Sequence, residues 1–579
     1  MKRFLLLTAA ALSMLLTDTQ DLFFTSAQAA PALRRIVTLK QPDGATLQAI
    51  PMGDEYMSFW KDAQTGRLLT QDAGTYYWRE MTEAEIKETD TRWTEARRSA
   101  TKRSASAYTI GGVTPIGEVR LPLVLVEFTD VKLTDDFGTV EYTDSLLNDL
   151  DFDRVAYTYK ENDYHTGSIR KYWNIQSQGQ FDPQFDVLGK ISLSKAMSQY
   201  GKESGSNHDI NISGLLTEVV DTLKAKGWMN NAAQYDNNHD GVVDCIYIIY
   251  AGFGQNETGE GDQIWAKNTT GHIYTMPDDT KTNLFLLSPE LFGASSGIVV
   301  PNIGVFTHEF GHSIGLPDFY STNASTASQC YGMDSWSLMD QGEYSGRGQI
   351  PGCLTTHERM FLGWLEPTAI VNDTRDTLNL FASTGDARIF RNPENPDEYI
   401  TIENHQPENP WEITWGNSAY FSPHRHEGLL ITYVSYDANI WGRNAPNNDP
   451  DYQRCGPVSA DGEKQLFTNF STKEERNAWL NNLSSDIYPG LSNVTKLNSE
   501  NPLFRWHNGD TIAFNINNIE QLSDHRIVLT IGEPSTSSLH GVTDNRTQGK
   551  AVKRLKNGQI YIEKDGAYYD LLGRKVSFM

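Results

Sequence analysis

Cysteine is scarce in this chain, with four in 579 residues: Cys245, Cys330, Cys353 and Cys455. Their spacing matches neither a small disulfide framework nor a zinc knuckle, so the fold must rest on buried apolar side chains. A bridge between Cys330 and Cys353 stays open, whereas Cys245 lies in an apolar stretch and reads as a buried thiol. Positive charge is also in deficit. The net charge of −25 argues against nucleic acid or an anionic membrane as partner. Beyond the N-terminus no apolar run reaches the length of a membrane span, and no internal repeat is visible. With 39% hydrophobic residues the chain can nevertheless fill several cores, and its length calls for several.

The N-terminus reads as a secretory signal. Lys2 and Arg3 precede an apolar stretch from Phe4 to Leu16, and Ala27-Gln28-Ala29 forms an A-x-A cleavage site. The expected destination is outside the cytoplasm, secreted or at the cell surface.

The most informative stretch is Thr307-His308-Glu309-Phe310-Gly311-His312-Ser313-Ile314-Gly315-Leu316-Pro317-Asp318. In H-E-x-x-H on a helix, His308 and His312 share one face and can present two imidazoles to one metal ion. Glu309 lies beside the first ligand, placed to deprotonate a metal-activated water. Gly315 can turn the chain out of the helix at little steric cost, bringing Asp318 back as a third ligand. Two imidazoles, a carboxylate and an open position suit a catalytic zinc. Phe306, Phe310 and Ile314 recur at helical spacing, giving this helix a core face, and Asn302 can cap its start. The bland alternative is a surface helix that happens to carry two histidines.

This pattern resembles the metzincin-like metallopeptidases, with Asp318 where most of them have histidine. Together with Leu316-Pro317-Asp318 and the run Gly332-Met333-Asp334-Ser335-Trp336-Ser337-Leu338-Met339-Asp340, it is similar to the immune inhibitor A group, peptidase family M6. The resemblance implies that Met339 forms a Met-turn beneath the metal. It also implies an α+β multidomain chain: a zinc peptidase domain with a mixed sheet and an active-site helix, then a β-sandwich-like domain. The expected divisions are a signal peptide at 1–29, a pro-domain and linker at 30–112, and the catalytic domain at 113–366. A β-sandwich-like domain at 367–532 and a linker with a small β module at 533–579 follow. In the pro-region, Asp54 of Gly53-Asp54-Glu55 is the candidate zinc switch, the alternative being a plain turn aspartate. Arg97-Arg98 and Lys102-Arg103 mark an exposed linker open to activating proteolysis. Asp437, Trp441, Asn444 and Asn447 resemble a family stretch that binds a second calcium or braces the cleft. Tyr344 and His357 are unassigned candidates, with packing roles preferred.

A second metal motif precedes the strand at Ile246. Asp236, Asn238, Asp240, the Val242 carbonyl and Asp244 have the spacing of a calcium loop, without the glutamate that would complete an EF-hand. An Asn/Asp-rich turn with no ion is the alternative.

The function expected from these readings is a secreted zinc endopeptidase, monomeric and made as a precursor. It would act on protein or peptide substrates with Glu309 as general base. The rival is a cell-surface binding or adhesion protein with a vestigial peptidase domain.

Overall fold

The computed structural model describes residues 30–91, 112–406, 427–464 and 485–532, apart from 55–56, 73–74, 90, 160–161, 204–208, 295–298, 324–325, 328 and 491, together with strands between 552 and 576. The expected signal segment at 1–29, the expected basic linker and the expected linker after residue 532 lie outside the described residues.

Residues 37–80 form a five-stranded antiparallel meander: Val37–Lys40, Thr46–Asp54, Met57–Asp62, Leu68–Gln71 and Trp78–Glu80. The first turn sits where Asp43-Gly44 predicts it. Gly44 takes a left-handed φ of 90°, and the Asp43 carboxylate accepts from the Ala45 amide.

The next sheet is mixed. Its strands run in the order Lys267–Thr275, Lys281–Phe292, Ile246–Phe253, Gly117–Glu127 and Phe181–Ser192. All pairs are parallel except the first, and Val300–Pro301 adds an antiparallel bridge to Lys281–Phe292. Leu121–Val126 and Ile246–Tyr250 are apolar runs because both faces of these central strands are covered. Helix Ile212–Ala225 turns Leu215, Leu216, Val219, Val220 and Leu223 inward, as their spacing predicts. Helix Ile169–Gln176 starts where the Ser168 hydroxyl caps the Lys171 amide.

Helix Gly304–Ser313 carries the H-E-x-x-H motif and is buried on every side. Phe310 stacks on Tyr247 of the sheet at 5.6 Å and meets Trp173 at 5.2 Å. These contacts fix the helix's rotation, so its histidines face away from the sheet.

The sequence Pro351–Trp364 reads as a helix, but only Thr356–Phe361 forms one, because Thr355 and Glu358 form a capping box and Gly363 leaves at φ 78°. All four cysteines are buried thiols, so the Cys330–Cys353 bridge is not formed. Instead the Cys353 thiol lies against the Gln176 side-chain oxygen at 3.3 Å.

Downstream, Thr368–Ala369, Ala387–Arg391, Glu398–His405, Gly428–Ser435 and Cys455–Pro457 form a sheet joined by Tyr488–Pro489. Thr374–Leu378, Ile527–Ile531 and Ile516–Gln521 form another. The sequence Thr511–Ile516 reads as a strand, but strand pairing begins only at Ile516, and Thr511 makes an isolated bridge to Arg505. Both sheets feed one apolar cluster that includes Leu378, Ile400, Leu429 and Leu529. Tyr399, Leu430, Val434 and Trp441 of this region belong to the core of the preceding one. The two regions are therefore packed together rather than tethered. Four short antiparallel strands close the chain between Val552 and Val576. Among the described residues no helix is long and apolar enough to cross a membrane.

Candidate active site

The active-site helix opens with the Asn302 side chain accepting from the Val305 amide, which satisfies one of the free amides of the first turn. It ends at Gly315, whose φ of 109° an L side chain would resist. That turn carries Leu316, Pro317 and Asp318 back across the helix, and the three expected ligands meet. The Asp318 Oδ1 lies 3.3 Å from His308 Nε2 and 3.2 Å from His312 Nε2. Among the described residues, His308, His312 and Asp318 are the one group of three metal-ligating side chains gathered this closely, with ligand atoms within 4.8 Å of one another.

The chemistry of these atoms fits a cation. His308 Nε2, His312 Nε2, Asp318 Oδ1 and Glu309 Oε2 are all buried without a hydrogen-bond partner, an arrangement that is costly unless something else satisfies them. Zinc bonds of roughly 2.0–2.2 Å in a tetrahedral site set neighbouring ligand atoms roughly 3.3–3.5 Å apart. The carboxylate-to-imidazole separations match that spacing.

Each ligand is also braced from behind. His308 Nδ1 faces the Leu338 carbonyl at 2.9 Å and His312 Nδ1 the Leu316 carbonyl at 2.8 Å. With Nδ1–H donating in each ring, the Nε2 lone pairs point into the site. Asp318 is held by Asn444, whose side-chain nitrogen donates to Oδ2 and whose oxygen accepts from the Asp318 amide at 2.6 Å. Asn447 donates to the neighbouring Phe319 carbonyl at 2.6 Å. Of the two roles open to that downstream stretch, bracing is the one its contacts perform. Met339 lies directly under the helix: a Cβ added at Gly311 would come within 2.5 Å of its sulfur. The Met339 carbonyl accepts from the Phe319 amide at 2.8 Å.

Electrostatics separate the roles. Burial pushes the Asp318 carboxyl up, but the His312 and His308 imidazoles outweigh it and hold the group below its ordinary range. Burial raises Glu309 well above the usual carboxylate value, opposed by the hydrogen bond from the Ala30 amide. Burial lowers His308. Glu343 is fully buried with both carboxylate oxygens lacking hydrogen-bond partners, 3.8 Å from His308 Nδ1; burial, then Glu309, pushes it up strongly.

Other candidates fall elsewhere. Asp54 is buried at the end of Thr46–Asp54 but does not join the three-ligand group. What reaches Glu309 is Ala30, whose amide donates to Oε1 at 2.6 Å; nothing in the sequence pointed to this contact. The Tyr344 hydroxyl donates to the Pro31 carbonyl at 2.7 Å. His357 is packed between the Tyr399 hydroxyl and the Trp441 indole nitrogen, and burial drops it to about 3.

In the loop 236–244, Asp236 accepts from the Asp240 and Gly241 amides, Asn238 from Asp240, and Asp240 from Val242. Asp244 Oδ2 accepts from Asn237, while its Oδ1 is buried without a partner. Burial raises Asp244 to about 7, with Asp236 and Asp240 adding to the rise.

Comparison with known proteins finds similar metalloproteases. Residues 118–364 match the family described as immune inhibitor A peptidase M6, catalytic domain. The pre-pro-metalloprotease PrtV of Vibrio cholerae is 29% identical over 281 residues, which cover 43% of this chain and 30% of PrtV. Immune inhibitor A of Bacillus thuringiensis is 25% identical over 284 residues, covering 42% of this chain and 40% of the relative. The chain thus spans well under half the length of both relatives. Metalloproteinase-II from Bacteroides fragilis aligns over 62% of this chain at 8% identity, with a TM-score of 0.20 that is too low to compare folds. The matched stretch begins in strand Gly117–Glu127 of the mixed sheet and ends just past the helix that follows the Met339 turn, and over these residues the chain is similar to the catalytic domain of peptidase family M6.

Proposed function

We propose that the chain is an exported zinc-dependent endopeptidase, made as a precursor, that hydrolyses internal peptide bonds of protein substrates. The observation that carries this reading is the set of partnerless buried atoms around Asp318 Oδ1, on side chains braced from behind. His308, His312 and Asp318 would hold the zinc, which when bound supplies Lewis acidity and makes water a nucleophile near neutral pH.

The chain's own residues do the rest. Glu309 takes a proton from the attacking water and hands it to the leaving nitrogen. Its raised affinity for protons suits that shuttle, and a nitrogen of the chain already sits 2.6 Å from it. Met339 supports the helix from below, and Asn444 aims the Asp318 carboxylate. Residues 1–29 serve as the export signal and 30–112 as the pro-region and linker. Residues 113–366 are the catalytic domain, 367–532 a β-sandwich-like domain and 533–579 a terminal module. The 236–244 loop is read as a structural calcium site on account of the partnerless Asp244 Oδ1.

The test is casein digestion by the chain cleaved in its basic linker, with and without a chelator, alongside Glu309→Gln treated in the same way. The variant should keep its zinc and lose about 10²–10⁴ in turnover. Parental turnover from the Glu309→Gln chain would refute the role given to Glu309, and chelator-insensitive digestion would refute the metal.

A further inference from the structure

The cleft above the ligands holds a piece of the chain itself. The Ala30 amide meets Glu309 Oε1 at 2.6 Å, and the Ala30 carbonyl accepts from the Trp265 indole at 2.9 Å. The Pro31 carbonyl accepts from Tyr344 at 2.7 Å, and the Leu33 amide donates to the Asn256 carbonyl at 2.8 Å. Ala30 and Leu33 are buried among Ala266, Phe292, Val305 and Tyr344. Beyond them the Arg34 guanidinium pairs with Asp334 at 3.1 Å and reaches Asp340 at 3.9 Å. Both carboxylates are almost fully buried, at 1% and 0% side-chain exposure.

This arrangement has a direction. When a peptide bond is cut, the fragment on its carboxyl side begins with the nitrogen that has just received a proton from the general acid. Ala30 presents its nitrogen to Glu309 in that manner, and the chain then runs away from the catalytic group toward Arg34. Ala30 takes the place of the first residue past the cut bond, and Arg34 that of the fifth. Removal of residues 1–29 would turn the amide into an ammonium and make the contact charge-assisted.

Asp334 and Asp340 also fit a cationic occupant on their own terms. Asp340 is spent on the amides of Met333, Asp334 and Gln341, and Asp334 Oδ1 on Ser335. Two buried carboxylates this close need a neutralising partner, and a planar guanidinium supplies one.

Building on the peptidase reading above, we propose that residues 30–34 occupy the cleft as a carboxyl-side product does, and that Asp334 and Asp340 form the subsite that selects a basic side chain at the fifth position past the cleaved bond in protein substrates. The pro-region then blocks the site by offering the side chain the pocket is built to take, and activation requires its withdrawal.

The test uses the full-length chain carrying Arg34→Ala, which leaves the acidic pair free for an outside ligand. Two fluorescent peptides, Ala-Pro-Ala-Leu-Arg and the same sequence ending in Glu, are compared by anisotropy. The arginine peptide should bind about tenfold or more tighter, and adding Asp334→Asn with Asp340→Asn should erase the difference. Equal binding of the two peptides, or binding of neither, overturns the subsite. Should the variant fail to fold, the wild-type chain serves: the arginine peptide, and not the glutamate one, should speed amide hydrogen exchange in residues 30–34 by displacing them, and equal or absent effects overturn the proposal. The two readings fail separately. Arginine-selective binding by a chain that digests nothing even after cleavage in the basic linker at Arg97–Arg103 has released the pro-region would sink the peptidase and keep the subsite; protein digestion by the released chain with no peptide preference would do the reverse.

Discussion

The active-site helix and the 236–244 loop both read as metal sites, but they are organised differently. On the helix side, the ligand atoms have no protein partners, while the rest of each ligand side chain is anchored to carbonyls or to Asn444. In the loop, most carboxylate and amide oxygens are spent on the loop's own backbone amides, and only Asp244 keeps a buried oxygen unpartnered. The first site is aimed by the surrounding fold, so its geometry exists before any ion arrives. The second holds its own shape as a turn, and an ion there would add to a structure that already closes. Metal should accordingly decide activity at the helix and only stability at the loop.

The largest expected effect tests the first half of that contrast. His308→Ala should purify with its zinc gone and turnover at background, because two remaining ligands do not hold the ion. A full equivalent of zinc in that variant, by atomic absorption, would mean the three side chains are not the site. Next comes the bracing. Asn444→Ala leaves all three ligands in place but removes the hydrogen bonds that aim Asp318, and should weaken zinc binding by about ten- to a hundredfold. Unchanged affinity in a competition titration would show that Asp318 needs no help. At the loop, millimolar calcium should raise the melting temperature of the zinc-loaded chain by a few degrees, and Asp244→Asn should remove that increment. An identical melting curve with and without calcium would leave the loop as a plain turn.

The smallest effect concerns the packing behind the helix site. Asp486 accepts from Tyr331 and Trp336, which flank the Met339 turn, and from Ser459. Burial raises it to about 7 against the pull of those donors. The folded state therefore holds a proton there that the unfolded state has already released. The resulting stability is fully present below the ordinary carboxylate value of about 4 and is lost as pH rises to about 7. Asp486→Asn should flatten the fall in melting temperature across that window, and a slope equal to the parent's would count against this assignment.

What the sequence made legible is what lies close along the chain. His308, Glu309, His312, Gly315 and Asp318 span eleven positions, and helix geometry plus one glycine turn suffice to join them. The mixed sheet was readable too, because buried central strands are continuous apolar runs. Its antiparallel neighbour Lys267–Thr275, polar and half-exposed, gave no such signal. The contacts that finish the site cross long separations: Asn444 to Asp318 over 126 residues, Ala30 to Glu309 over 279, Arg34 to Asp334 over 300. Spacing says nothing about such pairs. Asp54 attracted notice because an acidic residue in a pro-region is a plausible metal blocker, whereas Ala30 reaches Glu309 through its backbone, which no residue type announces.

The grip of Asn444 on Asp318 bears on how this protein can be taken apart. A polypeptide ending at residue 364, where the family match stops, would retain every ligand and lose the side chain that orients one of them. Shuffling of its modules, in the laboratory or in descent, must carry the segment around residues 437–455 along with the helix, or leave the Asp318 carboxylate without the side chain that aims it.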